Sequence, residues 1–233
     1  MSMIDFQHLE LLTFDCYGTM IDWETGIFSA LRPILRAHRV TLSDSTILET
    51  YSELEAGAEQ GKFCFYRQVL ASVVAGFGRR FEFEAAQAEI DSLPNSLPRW
   101  EPFPDTVEAL RRLKSQYKLA VISNVDDDLF AESAKKLGLA FDHVITAQQA
   151  RCYKPNLNIF KMALERSDIP PGKILHVGQS IYHDVLPAQS LGIATAWVNR
   201  KSPRPNAGAA KSAKGTPDLE VSDLKRLADR ILS

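Results

Sequence analysis

The chain has 233 residues, 45% of them hydrophobic, so it can bury a substantial core, and general disorder is excluded. A formal net charge of -2, with no apolar run near the roughly 20 residues that span a bilayer, gives no reason to expect a nucleic acid or a membrane as partner. The first residues lack the features of a signal peptide, and three scattered cysteines suit free thiols, so we expect a cytoplasmic protein.

The first predicted strand covers residues 9–14 and is followed directly by an acid, Asp15. Gly18 then supplies the permissive backbone of a tight turn. An acid just beyond a buried strand lies at the carboxyl edge of a sheet, where open α/β folds keep their ligands. Asp also begins ordinary turns, so this stretch alone leaves the two interpretations of Asp15 about equal.

Residues 22 to about 97 show apolar positions at helical spacing and no convincing strand. We predict that 21–97 is a helical insertion, a candidate cap over the Asp15 edge. The core domain would then consist of residues 1–20 and 98–233.

From residue 99 onward, predicted helices and strands alternate. Four further strands are predicted, at residues 118–122, 141–146, 173–177 and 193–198. Strands separated by helices imply right-handed crossovers and a parallel, doubly wound α/β sheet. The basic stretch 200–217 is predicted to be a solvated connector, and a short helix at 223–232 ends the chain.

Polar residues follow the predicted strand ends, and in a parallel sheet these ends share one edge. The set comprises Asp15, Ser123, Asn124, Gln179, Ser180 and, in longer loops, Lys154 and Asp184. A carboxylate can attack carbon or phosphorus to form an ester, and Lys154 would keep Asp15 ionised. Thr19, Ser123 and Asn124 could donate hydrogen bonds to it. Asp184 could hold Lys154 or orient the water that opens the ester.

Several residues in these loops have two interpretations. The acids at 126–128 are better explained by helix-end electrostatics than by function. Cys16 points away from Asp15 by strand alternation and is expected to be a packed thiol. His183 is equally compatible with a structural role and with proton transfer. Trp23 could pack at a cap hinge or form an apolar wall of the pocket, and we favour the wall.

Four ordered motifs carry a resemblance that covers the whole chain. They are Phe14-Asp15-Cys16-Tyr17-Gly18-Thr19, Ile122-Ser123-Asn124, Tyr153-Lys154-Pro155, and Val177-Gly178-Gln179 with Asp184. Together they resemble the motifs of the haloacid dehalogenase superfamily. The resemblance implies a hydrolase in which Asp15 is the nucleophile, Thr19 and Ser123 its supports, Lys154 its counter-charge and Asp184 the acid of the fourth motif.

Two substitutions distinguish branches of that superfamily. Tyr17 stands where phosphatases usually carry a second acid, and Gln179 replaces an expected acid of the fourth motif. These two positions therefore lack the carboxylates that would be expected to bind a magnesium ion. The pattern is similar to the L-2-haloacid dehalogenase branch, which implies attack on a carbon of a small carboxylate, with Asn124 fitting and with no metal or other cofactor.

The chain also departs from that branch. No arginine lies between Arg39 and Arg67 to hold a substrate carboxylate, and Phe160 replaces an expected tyrosine. In place of the branch's fourth-motif asparagine the chain has Tyr182-His183-Asp184, which resembles a subgroup that opens strained rings such as azetidine-2-carboxylate.

We expect five residues to bind the substrate: Tyr17, Trp23, Ser180, Tyr182 and His183. A magnesium-dependent phosphatase, a ring-opening cyclic amino acid hydrolase and a binding module without turnover are the alternatives. A homodimer is left open.

Overall fold

Six strands form one sheet in a computed structural model that describes residues 4–233. The strands are β1 (Leu11–Phe14), β2 (Lys118–Ser123), β3 (His143–Thr146), β4 (Ile174–Gly178), β5 (Ala194–Val198) and β6 (Leu219–Val221). Their order is β3-β2-β1-β4-β5-β6, and every neighbouring pair is parallel. The predicted doubly wound α/β sheet is confirmed.

Strand β1 lies at the centre of the sheet, with β2 on one side and β4 on the other. Phe14 is in register with Val121 of β2 and Val177 of β4, so three strands end side by side. All four residues of β1 are buried, as expected for a strand covered on both faces. The strand order reverses direction at β1, which opens a crevice at the carboxyl edge beside it.

Eleven α-helices connect and flank the strands in residues 4–233. They are α1 (Trp23–Ala37), α2 (Asp44–Ala58), α3 (Tyr66–Arg80), α4 (Gln87–Ile90), α5 (Ser92–Ser96), α6 (Thr106–Lys114), α7 (Asp127–Leu137), α8 (Ala147–Ala150), α9 (Leu157–Ser167), α10 (Leu186–Ser190) and α11 (Leu224–Ile231). In this part of the chain no helix is long and apolar enough to cross a bilayer.

Helices α1–α5 all lie between β1 and β2 in the chain, where the sequence predicted a helical insertion. They pack on one another through apolar faces, and α1 approaches Trp100 closely at Gly26. A Cβ atom at Gly26 would lie 2.4 Å from the Trp100 indole, so this contact requires glycine. The division into a core (1–20 and 98–233) and a cap (21–97) stays a prediction, and residues 1–3 lie outside the described residues.

The connector at 200–217 differs from its prediction. Ala207, Ala209 and Ala210 are buried, and the side-chain amide of Gln179 donates a hydrogen bond to the Ala207 carbonyl at 2.9 Å. Small side chains let this backbone approach the sheet edge, so the prediction of a solvated connector is wrong here. The sequence also gave no sign of β6, because its three residues are too few to show a period.

The acid Asp126 caps a helix other than the one it precedes. Its carboxylate accepts hydrogen bonds from the backbone N–H groups of Tyr66 (2.8 Å) and Arg67 (3.0 Å), which begin α3. The residue before them, Phe65, has no side-chain oxygen to cap the helix. Helix-end electrostatics at α7 is therefore the wrong explanation for Asp126, which joins the loop after β2 to α3.

We expect Asp126→Ala to lower the free energy of unfolding by about 1–2 kcal/mol, because two buried N–H groups at the start of α3 lose their acceptor. Urea unfolding measures this change. Asp128→Ala is the matched control, because its exposed ion pair with Arg67 is worth at most about 1 kcal/mol. Equal losses in the two variants would contradict the capping role.

Candidate active site

Asp15 follows β1 directly and is held at the sheet edge by its backbone and by both carboxylate oxygens. Its N–H donates to the Val177 carbonyl at 2.9 Å. Oδ1 accepts from Lys154 Nζ at 2.7 Å, and Oδ2 accepts from Thr19 Oγ1 at 2.7 Å. Asp15 is 8% exposed. A buried carboxylate with one donor on each oxygen is held in a fixed position from which it can attack a bound molecule.

The turn after Asp15 depends on Gly18. Its φ of +87° lies in the left-handed region, which favours glycine. A Cβ there would also lie 2.7 Å from the indole nitrogen of Trp23. The turn buries Thr19, whose Oγ1 accepts a hydrogen bond from the Gln179 N–H at 2.9 Å. The turns after β1 and β4 are thereby fixed to each other.

Lys154 is fully buried between two carboxylates. Its Nζ donates to Asp15 Oδ1 at 2.7 Å, to Asp184 Oδ1 at 2.7 Å and to the Ile122 carbonyl at 2.9 Å. Asn124 fixes the lysine backbone, because its Oδ1 accepts from the Lys154 N–H at 2.6 Å. All three donors of the ammonium are used, so the lysine is a rigid counter-charge.

Asp184 is placed by the short π-helix Ile181–Val185 after β4. Its Oδ2 accepts from the Ser180 N–H at 3.1 Å, and its Oδ1 lies 3.3 Å from His176 Nε2. A Cβ at Gly178 would lie 2.5 Å from the Asp184 side chain, so glycine allows this approach. Of the two roles that the sequence left open for Asp184, these contacts favour holding Lys154.

Burial and neighbouring charges shift the pKa values of Asp15, Asp184 and Lys154 in opposite directions. Burial raises the pKa of Asp15 above its usual value, although Lys154 opposes this effect. Burial also acts to raise the pKa of Asp184, but Lys154 and His176 outweigh it and hold that pKa low. Burial would lower the pKa of Lys154, but the two carboxylates raise it above that of a free lysine. The ammonium is therefore permanent near neutral pH.

A cavity of about 30 Å³ opens over Asp15. Its lining comprises Asp15, Tyr17, Trp23, Glu55, Glu59, Tyr66, Ser123, Asn124, Lys154, Gln179, Ser180, His183, Asp184 and Ala210. An adjacent outer cavity of about 330 Å³ shares Glu59, Lys154 and His183 with it. We call these the inner and outer cavities.

The structure brings most of the predicted site residues to the inner cavity. Thr19 lies behind Asp15, outside the lining, as a support should. Tyr182 lines the outer cavity instead, where its ring meets His183 edge-on at 4.8 Å and lies under the Lys211 ammonium. Substrate contact by Tyr182 stays a prediction for the outer cavity only.

Two groups in the inner cavity have no hydrogen-bond partner within residues 4–233. They are Ser123 Oγ and His183 Nε2, and both are buried. Burial lowers the pKa of His183 to about 4, so the imidazole is neutral near pH 7. Buried polar atoms normally have partners, which makes these two candidates for contact with a bound molecule.

Residues from α2 and α3 were missed by the sequence interpretation. Tyr51, Glu55 and Glu59 recur every four residues, so they lie on one face of α2 and its extension. Glu55 Oε1 accepts hydrogen bonds from the hydroxyls of Tyr51 (2.8 Å) and Tyr66 (2.6 Å). The spacing was visible in the sequence, but nothing there showed that this face turns toward Asp15.

Cys16 and Arg67 both lie outside the two cavities. Cys16 is fully buried in the core and burial raises its pKa far above the usual value, which makes it a packed thiol. Arg67 is the first arginine after the gap that begins at Arg39, and its guanidinium pairs with Asp128 rather than being free to hold a substrate carboxylate. Arg67 is not among the residues that line either cavity.

Within residues 4–233, no group of three or more His, Cys, Asp or Glu side chains is arranged to hold a metal ion. Lys154 occupies the space between Asp15 and Asp184, and the Gln179 amide is directed to Ala207.

Comparison with known proteins identifies relatives along most of the chain. A family model described as haloacid dehalogenase-like hydrolase matches residues 9–192. The (S)-2-haloacid dehalogenase H-109 of Pseudomonas putida is 27% identical over 233 residues, which covers 97% of this chain and 99% of the relative.

Solved structures share the fold. The L-2-haloacid dehalogenase of Xanthobacter autotrophicus matches with a TM-score of 0.79 and 19% identity, over 96% of this chain and 98% of that one. Its structure with chloropropionic acid covalently bound has a TM-score of 0.77 and 20% identity, over 96% and 98% of the two chains.

We expect Lys154→Met to lower the free energy of unfolding by about 3–5 kcal/mol near neutral pH, because it leaves two buried carboxylates without a counter-charge. Urea unfolding measures the loss, and adding Asp184→Asn should recover part of it. Lys173→Met is the control, since its half-exposed pair with Glu10 should contribute at most about 1 kcal/mol. A loss no greater than that of the control would show that the buried charges are not coupled.

Proposed function

Since this chain belongs to the haloacid dehalogenase-like hydrolases, as its four motifs predicted, we propose that it hydrolyses a small carboxylate by attack of Asp15 on carbon. The observation that carries the proposal is the Asp15 carboxylate, held at 2.7 Å by both Lys154 and Thr19 at the floor of a small cavity. The dehalogenases of Pseudomonas putida and Xanthobacter autotrophicus that this chain resembles support it.

In the first step a carboxylate oxygen of Asp15 attacks the α-carbon or an adjacent carbon of the substrate. A carbon–oxygen bond forms, the bond to the leaving group breaks, and a halide departs with the electron pair. The product is an ester between Asp15 and the substrate. Lys154 keeps Asp15 ionised, and Trp23 and Tyr17 shield the reacting carbon from water.

In the second step water attacks the carbonyl carbon of the ester. The bond between that carbon and the substrate oxygen breaks, which restores the Asp15 carboxylate and releases the hydroxylated product. The water proton passes to the neutral imidazole of His183, which lines the inner cavity with Asp15 and whose Nε2 has no partner in the protein. Ser123 Oγ, which has no partner in the protein, is available to fix the ester oxygen.

We propose that neither step uses a metal or another cofactor. Asp15 and Asp184 already share an ammonium, and the fourth-motif position that would supply a further carboxylate is Gln179. A neutral amide engaged with Ala207 is a poor ligand for magnesium. This donor set argues against the phosphatase alternative.

Asp15→Asn should reduce turnover at least about a thousandfold with the fold intact, because an amide is nearly isosteric but a poor nucleophile. Halide release from a panel of small haloacids provides the activity assay. Cys16→Ala is the control, since its thiol is buried away from the cavity. Substantial activity in Asp15→Asn would rule out this mechanism.

A single turnover in heavy-oxygen water should place the label in Asp15 and leave the product unlabelled, because water attacks the carbonyl carbon of the ester. Mass spectrometry of the peptide that contains Asp15 measures the incorporation. Label found first in the product would instead indicate direct attack by water on the substrate.

Activity should survive dialysis against a chelator, because the ammonium of Lys154 supplies the positive charge between the two carboxylates. Halide release before and after dialysis is the measurement, with added magnesium as the control. A full loss that magnesium restores, together with release of phosphate from phosphate esters, would favour the phosphatase.

A further inference from the structure

The inner cavity is rich in carboxyl groups. Glu55 in α2 and Glu59 at its end line it together with Asp15 and Asp184. Within residues 4–233, Lys154 is the single lysine or arginine in the lining, and its three donors are already used. A purely anionic substrate would therefore meet four carboxyl groups and no free cation.

The protein gives the two glutamates no ion-pair partner within residues 4–233. No salt bridge of the described residues involves either one, and their hydrogen bonds come from neutral groups. Tyr51 and Tyr66 both donate to Glu55 Oε1, and Asn124 donates to Glu59 Oε1 at 3.2 Å. None of the hydrogen bonds found in residues 4–233 uses Oε2 of either glutamate, which leaves one oxygen of each for a ligand.

Burial of these carboxyl groups without an ion-pair partner destabilises their ionised form. Burial raises the pKa of Glu55 to about 7 and also raises that of Glu59. The ionised form is the one that burial penalises, and a bound cation would offset that penalty. If these two side chains served the fold alone, glutamines in their place would avoid the cost of burying an ionised carboxylate.

Two further side chains in the same cavity have a polar atom that is available to a ligand. Ser123 Oγ and His183 Nε2 are buried and unpartnered, and both are neutral near pH 7. They can hydrogen-bond other parts of a molecule that the glutamates hold by its charge. The inner cavity, of about 30 Å³, is narrow, and the adjoining outer cavity of about 330 Å³ has room for the rest of a small molecule.

We propose that the substrate carries an ammonium group, which lies between Glu55 and Glu59 while its reacting carbon faces Asp15. This inference rests on the function proposed above and narrows its substrate to a small amino acid with a leaving group. Glu59 lines both cavities, so it meets the cation first on the way from the outer cavity. Arg151 lines only the outer cavity, where it stacks on Phe63 at 4.4 Å, and does not compete for the inner one.

Binding of two unreactive probes tests the recognition separately from the chemistry. L-Alanine and propionate differ only in the α-ammonium, and isothermal titration calorimetry compares their Kd values. We expect L-alanine to bind at least about tenfold more tightly, as one charged hydrogen bond provides. Equal affinities, or tighter binding of propionate, would overturn the proposal.

Substitution of the two glutamates tests whether they cause the preference for L-alanine over propionate. Glu55→Gln and Glu59→Gln should each reduce the preference for L-alanine about tenfold. Glu53→Gln is the matched control, because Glu53 lies on the same helix but is exposed and pairs with Arg80. Should Glu55→Gln fail to fold, Glu59→Gln at its less buried position carries the test alone. A preference that survives the substitutions would overturn the assignment.

A reactive pair separates this inference from the proposed function. 3-Chloroalanine and 3-chloropropionate again differ by the ammonium, and chloride release is the readout. We expect kcat/KM to be at least about tenfold higher for 3-chloroalanine. Equal rates would overturn ammonium recognition and leave the chemistry of Asp15 standing. No chloride from either compound, with the binding preference intact, would contradict the proposed function and support the recognition.

Discussion

The ammonium of Lys154 is the interaction on which the site depends. Two carboxylates, Asp15 and Asp184, lie buried within hydrogen-bond distance of it, and neither has another cation of comparable strength. Removing these charges from water costs several kcal/mol for each ion, and the mutual attraction offsets this cost only when every donor and acceptor is paired. The surrounding structure meets that condition, since Asn124 fixes the lysine backbone and Thr19 takes the remaining oxygen of Asp15.

The parallel sheet supplies the positions for that network. Strands β1, β2 and β4 end side by side, so Asp15, Ser123 and the Gly178 turn start from one edge. Close approach is possible because glycine stands at the two points where a side chain would collide, Gly18 beneath Trp23 and Gly178 beneath Asp184. A rigid edge of this kind holds a nucleophile in place without help from flexible loops.

The helices between β1 and β2 add further carboxyl groups to the cavity. Asp126 in the loop after β2 caps α3, and Tyr66 at the start of α3 donates a hydrogen bond to Glu55, which lines the inner cavity with Asp15. The cavity thus combines the Asp15 carboxylate with further carboxyl groups from the α2 side. Four carboxyl groups without a free cation are the reverse of what a substrate with only a carboxylate would require, which is the physical ground for proposing an ammonium-bearing substrate.

The sequence by itself determined the sheet and placed Asp15 at its edge as the predicted nucleophile. Apolar runs separated by helical periods predicted five of the six strands, and the polar residues after them predicted Asp15, Ser123, Asn124, Lys154 and Asp184. These features depend on local spacing and on the rule that parallel strands end at one edge. Tertiary structure alone decided which helix face turns inward, because Glu55 and Glu59 are at ordinary helical spacing in a segment with no strand to fix its orientation. It also decided that His176 contacts Asp184 and that Ala207 reaches Gln179. Those contacts join residues whose packing, rather than their local pattern, brings them together.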